Sequence, residues 1–257
     1  MKTMESSHSK RLWKNKRRWI IEGGFSVIRV LEKWIARFSP IGDPNFFDTA
    51  QFDWVARLES NWTVIRKELD ELMQYKDHLP NFQDISQDQS QFTTDDKWKT
   101  YFFYCFGYKS ERNCRRCPET TKLIASVPGM KTAFFSILSP HKHIPRHRGI
   151  YKGLIRYHLG LIVPQPEGAR MQVGGGITHW EEGKSVIFDD TYPHEVWNDV
   201  DKERVVLLMD VVRPFPFPLS VLNEWIIQLV RISPFVQDGL KNELEWEKHF
   251  DEVVKQL

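Results

Sequence analysis

The chain is poor in cysteine, lacks any long uninterrupted apolar run and has no excess of either charge, and each shortage closes off a class of protein. Only three cysteines occur, Cys105, Cys114 and Cys117. An odd count argues against a secreted disulfide framework and points to a reducing compartment. Cys114 and Cys117 form a CRRC, but no second pair or Cys/His repeat follows, so a structural or incidental role is expected ahead of a zinc knuckle or redox pair. No stretch approaches the roughly 18 apolar residues of a membrane-spanning helix. Residues 19–38 come nearest, but Glu22, Arg29, Glu32, Lys33 and Arg37 interrupt them, and no small-residue cleavage pattern marks them as a signal peptide. Lys and Arg total 36 against 34 Asp and Glu, so the bulk field that draws proteins to nucleic acid is missing and no such partner is expected.

What is present is 257 residues at 41% hydrophobic content, enough for one large domain with helical additions. Lys10, Arg11, Lys14, Lys16, Arg17 and Arg18 form a basic block around Trp13 and Trp19. Phe25, Ile28, Leu31, Ile35 and Phe38 follow at helical spacing. This segment is either an interfacial anchor or a helix packed on the domain. A second helix is expected over Trp54 to Tyr75, a long polar loop over His78 to Asp96, a strand over Trp98 to Tyr108 and a helix over Pro118 to Val127. From Met130 the runs MKTAFFSIL, GLIRYHLGLIVP, ARMQVGG, SVIFDD, HEVWND and RVVLLMDVV predict closely spaced strands in two sheets. RPFPFPL is a stiff connector to two terminal helices. The resulting division is a basic helix and linker at 1–45, the core domain at 46–218 and a helical extension at 219–257.

The stretch that carries chemistry runs from His147 to Val212. His158 lies in RYHLGLIVP, His194 in FDDTYPHEVW, and Arg204 opens VVLLMDVV. Period-two alternation can aim both imidazoles into one barrel mouth. A lone strand histidine is more often structural than a ligand, but two of them with a downstream arginine suggest an iron site that uses an acidic cosubstrate. The usual carboxylate ligand is missing. His141, His143 and His147 in HKHIPRHRG are read as solvated loop histidines. Asp189, Asp190 and Glu195 either orient an imidazole or are solvated turn carboxylates.

The run from Pro145 to Pro214 resembles the catalytic domain of the aspartyl/asparaginyl β-hydroxylase family, which includes bacterial lipid A acyl-chain hydroxylases. RYHLGL, WEEGK, VIFDDTYPHEVWN and ERVVLLMDVVRP carry the resemblance in order. A weaker likeness to the lipid A branch extends upstream through LESNWTVIRKEL, WKTYFFYCFGY and CPETTKLIASVPGMKTAFFSIL. The resemblance implies a mainly β fold with flanking helices, a double-stranded β-helix of jelly-roll, cupin-like type. It also implies Fe(II), 2-oxoglutarate as cosubstrate, and O2. His158 and His194 stand at the positions of the iron ligands. Gly160 stands where a facial triad would have its acid, leaving a position for water. Arg204 matches the arginine that pairs with the far carboxylate of 2-oxoglutarate. Gln172 stands where an animal aspartyl hydroxylase is expected to have a cosubstrate-holding arginine, and a neutral amide is closer to the lipid branch. His147-Arg148-Gly149 lacks the acid of that branch's HRDP.

The implied activity is hydroxylation of an unactivated C–H bond. The leading substrate is a fatty-acyl group of a membrane lipid, and the alternative is an Asp or Asn side chain of a peptide or protein. A halogenase using the vacant carboxylate position and a non-catalytic membrane-binding protein are further alternatives. Arg146, Arg148 and Arg156 are candidate substrate-binding cations, for a lipid phosphate or for a substrate carboxylate. The expected location is the cytoplasm, with peripheral contact to a membrane surface through residues 10–38.

Overall fold

The computed structural model describes residue 32, residues 36–86 and residues 90–256. The basic amphipathic segment at 10–38 therefore lies almost wholly outside the described residues. Eleven strands follow in chain order: β1 Phe46–Phe47, β2 Trp98–Cys105, β3 Tyr108–Lys109, β4 Met130–Leu138, β5 Lys142–His147, β6 Leu154–Ile162, β7 Ala169–Val173, β8 Gly176–His179, β9 Ser185–Phe188, β10 His194–Asn198 and β11 Arg204–Val212. They form a seven-stranded sheet in the order β1-β9-β6-β11-β4-β2-β3 and a four-stranded sheet in the order β5-β10-β7-β8. All strand pairs within the two sheets are antiparallel. From β4 onward the chain crosses between the sheets, β7 and β8 staying together in the smaller one. That alternation is the double-stranded β-helix, or jelly roll, which the resemblance implies.

Burial on each strand follows from what covers it. β6 and β11 lie in the middle of the large sheet and are apolar on both faces. Val205, Leu207, Met209 and Val211 pack outward on helices, and Val206 and Leu208 pack inward on the small sheet. The strands β7 and β10 have only one covered face, and so their burial alternates residue by residue.

The helix layer is α1 Val55–Ser60, α2 Trp62–Met73, α3 Phe82–Ile85, α4 Glu111–Arg116, α5 Pro118–Ala125, α6 Leu219–Arg231 and α7 Pro234–Gln256. The helix predicted over Trp54 to Tyr75 is broken at Asn61, whose side-chain amide donates to the Arg57 carbonyl at 2.8 Å. Such a local side-chain bond competes with helix continuation. The CRRC lies on α4 and at its end. Cys114 and Cys117 are buried in the core and burial pushes both thiols up, so they are inert core residues.

The loop reading of HKHIPRHRG is corrected: Lys142 to His147 is a strand, paired in register with β10. Pro145 is tolerated there because β5 is an edge strand of its sheet. The C-terminal extension shares the domain's core. Phe250 on α7 is 1% exposed, and its ring centroid lies 4.8 Å from Trp246 and 6.4 Å from Tyr101.

The same helix buries two acids. Asn113 Nδ2 donates to Glu243 Oε1 at 3.0 Å, and Ser110 Oγ donates to Glu247. Burial first, and Glu247 second, hold the Glu243 carboxyl well above the usual range. The folded state then binds more protons than the unfolded chain above the ordinary glutamate pKa, so this group's contribution to stability falls as pH rises. Glu243→Gln keeps the acceptor for Asn113 and removes the penalty. Its Tm advantage over the parent should grow between about pH 5 and pH 8, at roughly 2–4 °C for each kcal/mol. A pH-independent difference in thermal melts would contradict this.

Candidate active site

His158 projects from β6 in the large sheet and His194 from the start of β10 in the small one, so the fold brings them together across the space between the sheets. Both are buried, at 5% and 3% exposure. The ring of Phe188 packs against both, its centroid 5.1 Å from that of His158 and 5.8 Å from that of His194. Burial holds both imidazoles well below their ordinary pKa, with Arg204 and Arg156 adding to the effect on His158, and His147 and Arg156 on His194. They are therefore neutral, the state a metal ligand requires. His194 Nδ1 lies 3.0 Å from the Tyr192 carbonyl oxygen. A carbonyl only accepts, so Nδ1 carries the hydrogen and Nε2 keeps a free lone pair. Neither nitrogen of His158 has any partner.

Arg204, 2% exposed, begins β11 on the face that carries Val206 and Leu208. Its guanidinium lies over the Trp180 ring at 4.5 Å, and Trp180 stacks on His158 at 5.8 Å. Among the described residues Arg204 Nη1 donates to the Ser136 carbonyl at a long 3.5 Å, and its Nε has no partner. With no carboxylate beside it, burial lowers its pKa to about 9. Trp180 Nε1 is also buried without a partner. Native interiors rarely leave such atoms unsatisfied. Three of the residues with such atoms, His158, Arg204 and Trp180, are neighbours through the Trp180 ring, and they offer an imidazole and a cation to a ligand in that space.

The space at Gly160 is not open. A Cβ there would lie 2.1 Å from the Glu181 carbonyl oxygen, so the backbone itself excludes a third, acidic ligand from this position. Among the described residues no group of three or more His, Cys, Asp or Glu is placed to hold a metal.

Two sequence-based readings are corrected here. His147 is not a solvated loop residue: its ring lies 4.0 Å from that of His194, burial lowers its pKa to about 4, and its Nδ1 donates to the Pro145 carbonyl at 2.8 Å. Gln172 does not face the site. In β7 the inward positions are Ala169, Met171 and Val173, and Gln172 lies on the other face opposite Glu195, with Nε2 donating to the Gly174 carbonyl. His141 and His143 are exposed and paired with Asp201 and Glu195. Asp189 is taken by Lys152, Arg213 and Thr191 rather than by His194.

The candidate cations differ in availability. Arg146 is exposed. Arg148 donates to the Thr191 carbonyl and to Glu32. Arg156 is closed off by Asp210 at 2.8 Å and Asp190 at 3.0 Å. Trp180 and Phe188 went unassigned in the sequence, although the WEEGK and VIFDD motifs contain them.

The family model for aspartyl/asparaginyl beta-hydroxylase matches residues 59–214. An ornithine lipid ester-linked acyl 2-hydroxylase of Rhizobium tropici is 44% identical over 226 residues, 88% of this chain and 80% of that protein. The aspartyl/asparaginyl beta-hydroxylase of Homo sapiens is 33% identical over 176 residues, 65% of this chain but only 22% of that protein. Among solved structures, a 2OG-Fe(II) oxygenase family oxidoreductase from Burkholderia pseudomallei aligns over 46% of this chain and 66% of its own, with 12% identity and a TM-score of 0.37. A family match spanning the two imidazoles and Arg204, together with 44% identity along most of both chains, makes this protein a member of the aspartyl/asparaginyl β-hydroxylase family of oxygenase enzymes.

Proposed function

We propose that the protein is an Fe(II)- and 2-oxoglutarate-dependent dioxygenase that hydroxylates an acyl chain of a membrane lipid. The observation that carries the cofactor part is the set of unsatisfied buried atoms on His158, Arg204 and Trp180. His158 and His194 would hold the iron, two neutral nitrogen donors of the kind Fe(II) accepts. When bound, iron and 2-oxoglutarate supply the oxidising power, the cosubstrate being consumed to succinate and CO2. Arg204 would pair with the far carboxylate of 2-oxoglutarate, and Trp180 and Phe188 keep water from the site. The Tyr192 carbonyl fixes the His194 ring, so the ligand nitrogen is oriented before any metal arrives.

The lipid part rests on two supports. One is the rhizobial relative, whose name states an acyl 2-hydroxylase. The other is α6, which leaves Val221, Leu222, Trp225 and Leu229 exposed, with Phe217 and Ile232 at its ends. These are six of the ten large apolar side chains exposed among the described residues. No helix among the described residues is long and apolar enough to cross a membrane. An apolar helix face that ends in a Trp-bearing row suits an interfacial position. The peptide alternative draws on the 33% identity to the human enzyme.

Anaerobic titration with Fe(II) and 2-oxoglutarate, read by the visible metal-to-ligand charge-transfer band, tests the cofactors. Succinate release coupled to an ornithine-type lipid but not to an Asp or Asn peptide is the expected substrate result; coupling to the peptide alone would replace the lipid reading. The double change Trp225→Glu and Leu229→Glu should lower partition into lipid vesicles by about tenfold or more, since each side chain contributes about 1–3 kcal/mol of burial. Binding of 2-oxoglutarate should not change, and unaltered vesicle partition would exclude α6 as the contact.

A further inference from the structure

Next to the imidazoles lies a cavity of about 140 Å³ that the cofactor site does not use. Its wall is aromatic, with Phe82 from α3, Phe92, Phe102 from β2, Phe134 from β4 and Phe235 from α7. Strand register ties it to the site. Phe102 pairs with Phe134, Phe134 with Leu208, and Leu208 with His158, so the cavity floor and His158 occupy one rung across the large sheet. His147 lines the same cavity, 4.9 Å from Phe92 on one side and 4.0 Å from His194 on the other. The charged groups at its edge satisfy one another, since Arg156 is bound by Asp210 and Asp190. Nothing there calls for an anion. Its phenylalanines form an apolar side that suits an apolar ligand, while Thr132, His147, Arg148, Arg156 and Asp210 also line it.

Phe235, Val236 and Gly239 close the cavity from α7, beyond the family match at 59–214. Gly239 lies inside a helix, where glycine is a poor choice. Packing does not require it: a Cβ would meet only the Ile85 carbonyl oxygen, at an ordinary 3.6 Å. Gly239 thus lines the cavity without filling it. Phe106, another wall residue, stands in the two-residue turn from β2 to β3, where its φ of 46° and the 81° of Gly107 are what the turn requires.

We infer that this cavity receives the hydrocarbon tail of the acyl substrate and that Gly239 sets the length of tail it accepts. The inference rests on the lipid reading above and adds where the tail lies and what measures it. Head group and reacting carbon then stay at the imidazoles, while the tail runs along the rung from His158 toward α7.

The test uses the full chain and neutral octanoyl, dodecanoyl and hexadecanoyl amides, which carry no carboxylate for Arg204. Calorimetric affinity should rise with chain length and then level off. Gly239→Leu should weaken the dodecanoyl and hexadecanoyl amides by about tenfold or more while leaving octanoyl amide unchanged. Phe235→Ala, which enlarges the cavity, should shift the limit to a longer chain and keeps the test open if Gly239→Leu does not fold. An unchanged length profile in a folded variant, or no amide binding by the parent, overturns the inference. Amide binding needs no iron, so the two readings fail separately. A normal charge-transfer band with an unchanged length profile removes the cavity assignment alone, and a shifted profile without the band removes the dioxygenase reading alone.

Discussion

Replacing His158 with alanine should abolish the charge-transfer band of the anaerobic Fe(II) and 2-oxoglutarate complex and remove substrate-coupled succinate formation. The loss should exceed about a hundredfold, because changing residues that merely orient a metal ligand already costs roughly 10–100-fold in affinity or activity. His194→Ala should behave alike, the two imidazoles coming from separate sheets and both packing against Phe188. The apoprotein should tolerate the His158 change, since no hydrogen bond is lost: both ring nitrogens lack partners. A folded His158→Ala protein with the parent's band and turnover would remove this residue from the metal site. Retained vesicle binding without succinate formation in the parent itself would instead point to a non-catalytic membrane protein.

Arg204→Met should move two measurements in opposite directions. Affinity for 2-oxoglutarate should fall by roughly thirtyfold or more, because truncating one partner of a buried charge pair costs about 2–5 kcal/mol. Stability of the apoprotein should rise, by about 1–4 kcal/mol, because the guanidinium is 2% exposed, has no carboxylate beside it and is replaced by an apolar side chain of similar length. The methionine can keep contact with Trp180, on which the arginine lies. Calorimetry with 2-oxoglutarate and thermal melts without it check both. A variant that melts several degrees lower and still binds 2-oxoglutarate as the parent does would make Arg204 a structural residue.

Much of the barrel was readable because burial on both faces leaves a mark in the sequence. MKTAFFSIL, GLIRYHLGLIVP and RVVLLMDVV became β4, β6 and β11 of the large sheet, where helices cover one face and the small sheet the other. Edge strands leave a weaker mark. β5 contains Pro145 and exposes His143 and Arg146, and only its pairing with β10 makes it a strand. β8, Gly176–His179, is short and lies at the other edge of the same sheet, with Ile177 64% exposed.

The candidate site divides in the same way. His158, His194 and Arg204 stood out because imidazole and guanidinium are costly to bury in apolar strands without a purpose. Trp180, Phe188 and the aromatic wall did not, because an aromatic side chain in a core sequence is ordinarily just core. Gln172 was assigned by its place in the resemblance, which does not fix the face of a strand: the inward positions of β7 are its neighbours Met171 and Val173.

By itself the sequence determined the family, the alternating strands and the residue types that can bind iron and an acid, because those depend on local periodicity and on motifs contiguous in the chain. Only the tertiary structure decided that His147 stands against His194, that the Glu181 carbonyl fills the acid's place at Gly160, and that α7 closes an aromatic cavity beside the imidazoles. The reason is distance along the chain. Each of these contacts joins segments that nothing local relates, and they meet only when two sheets and a C-terminal helix pack together.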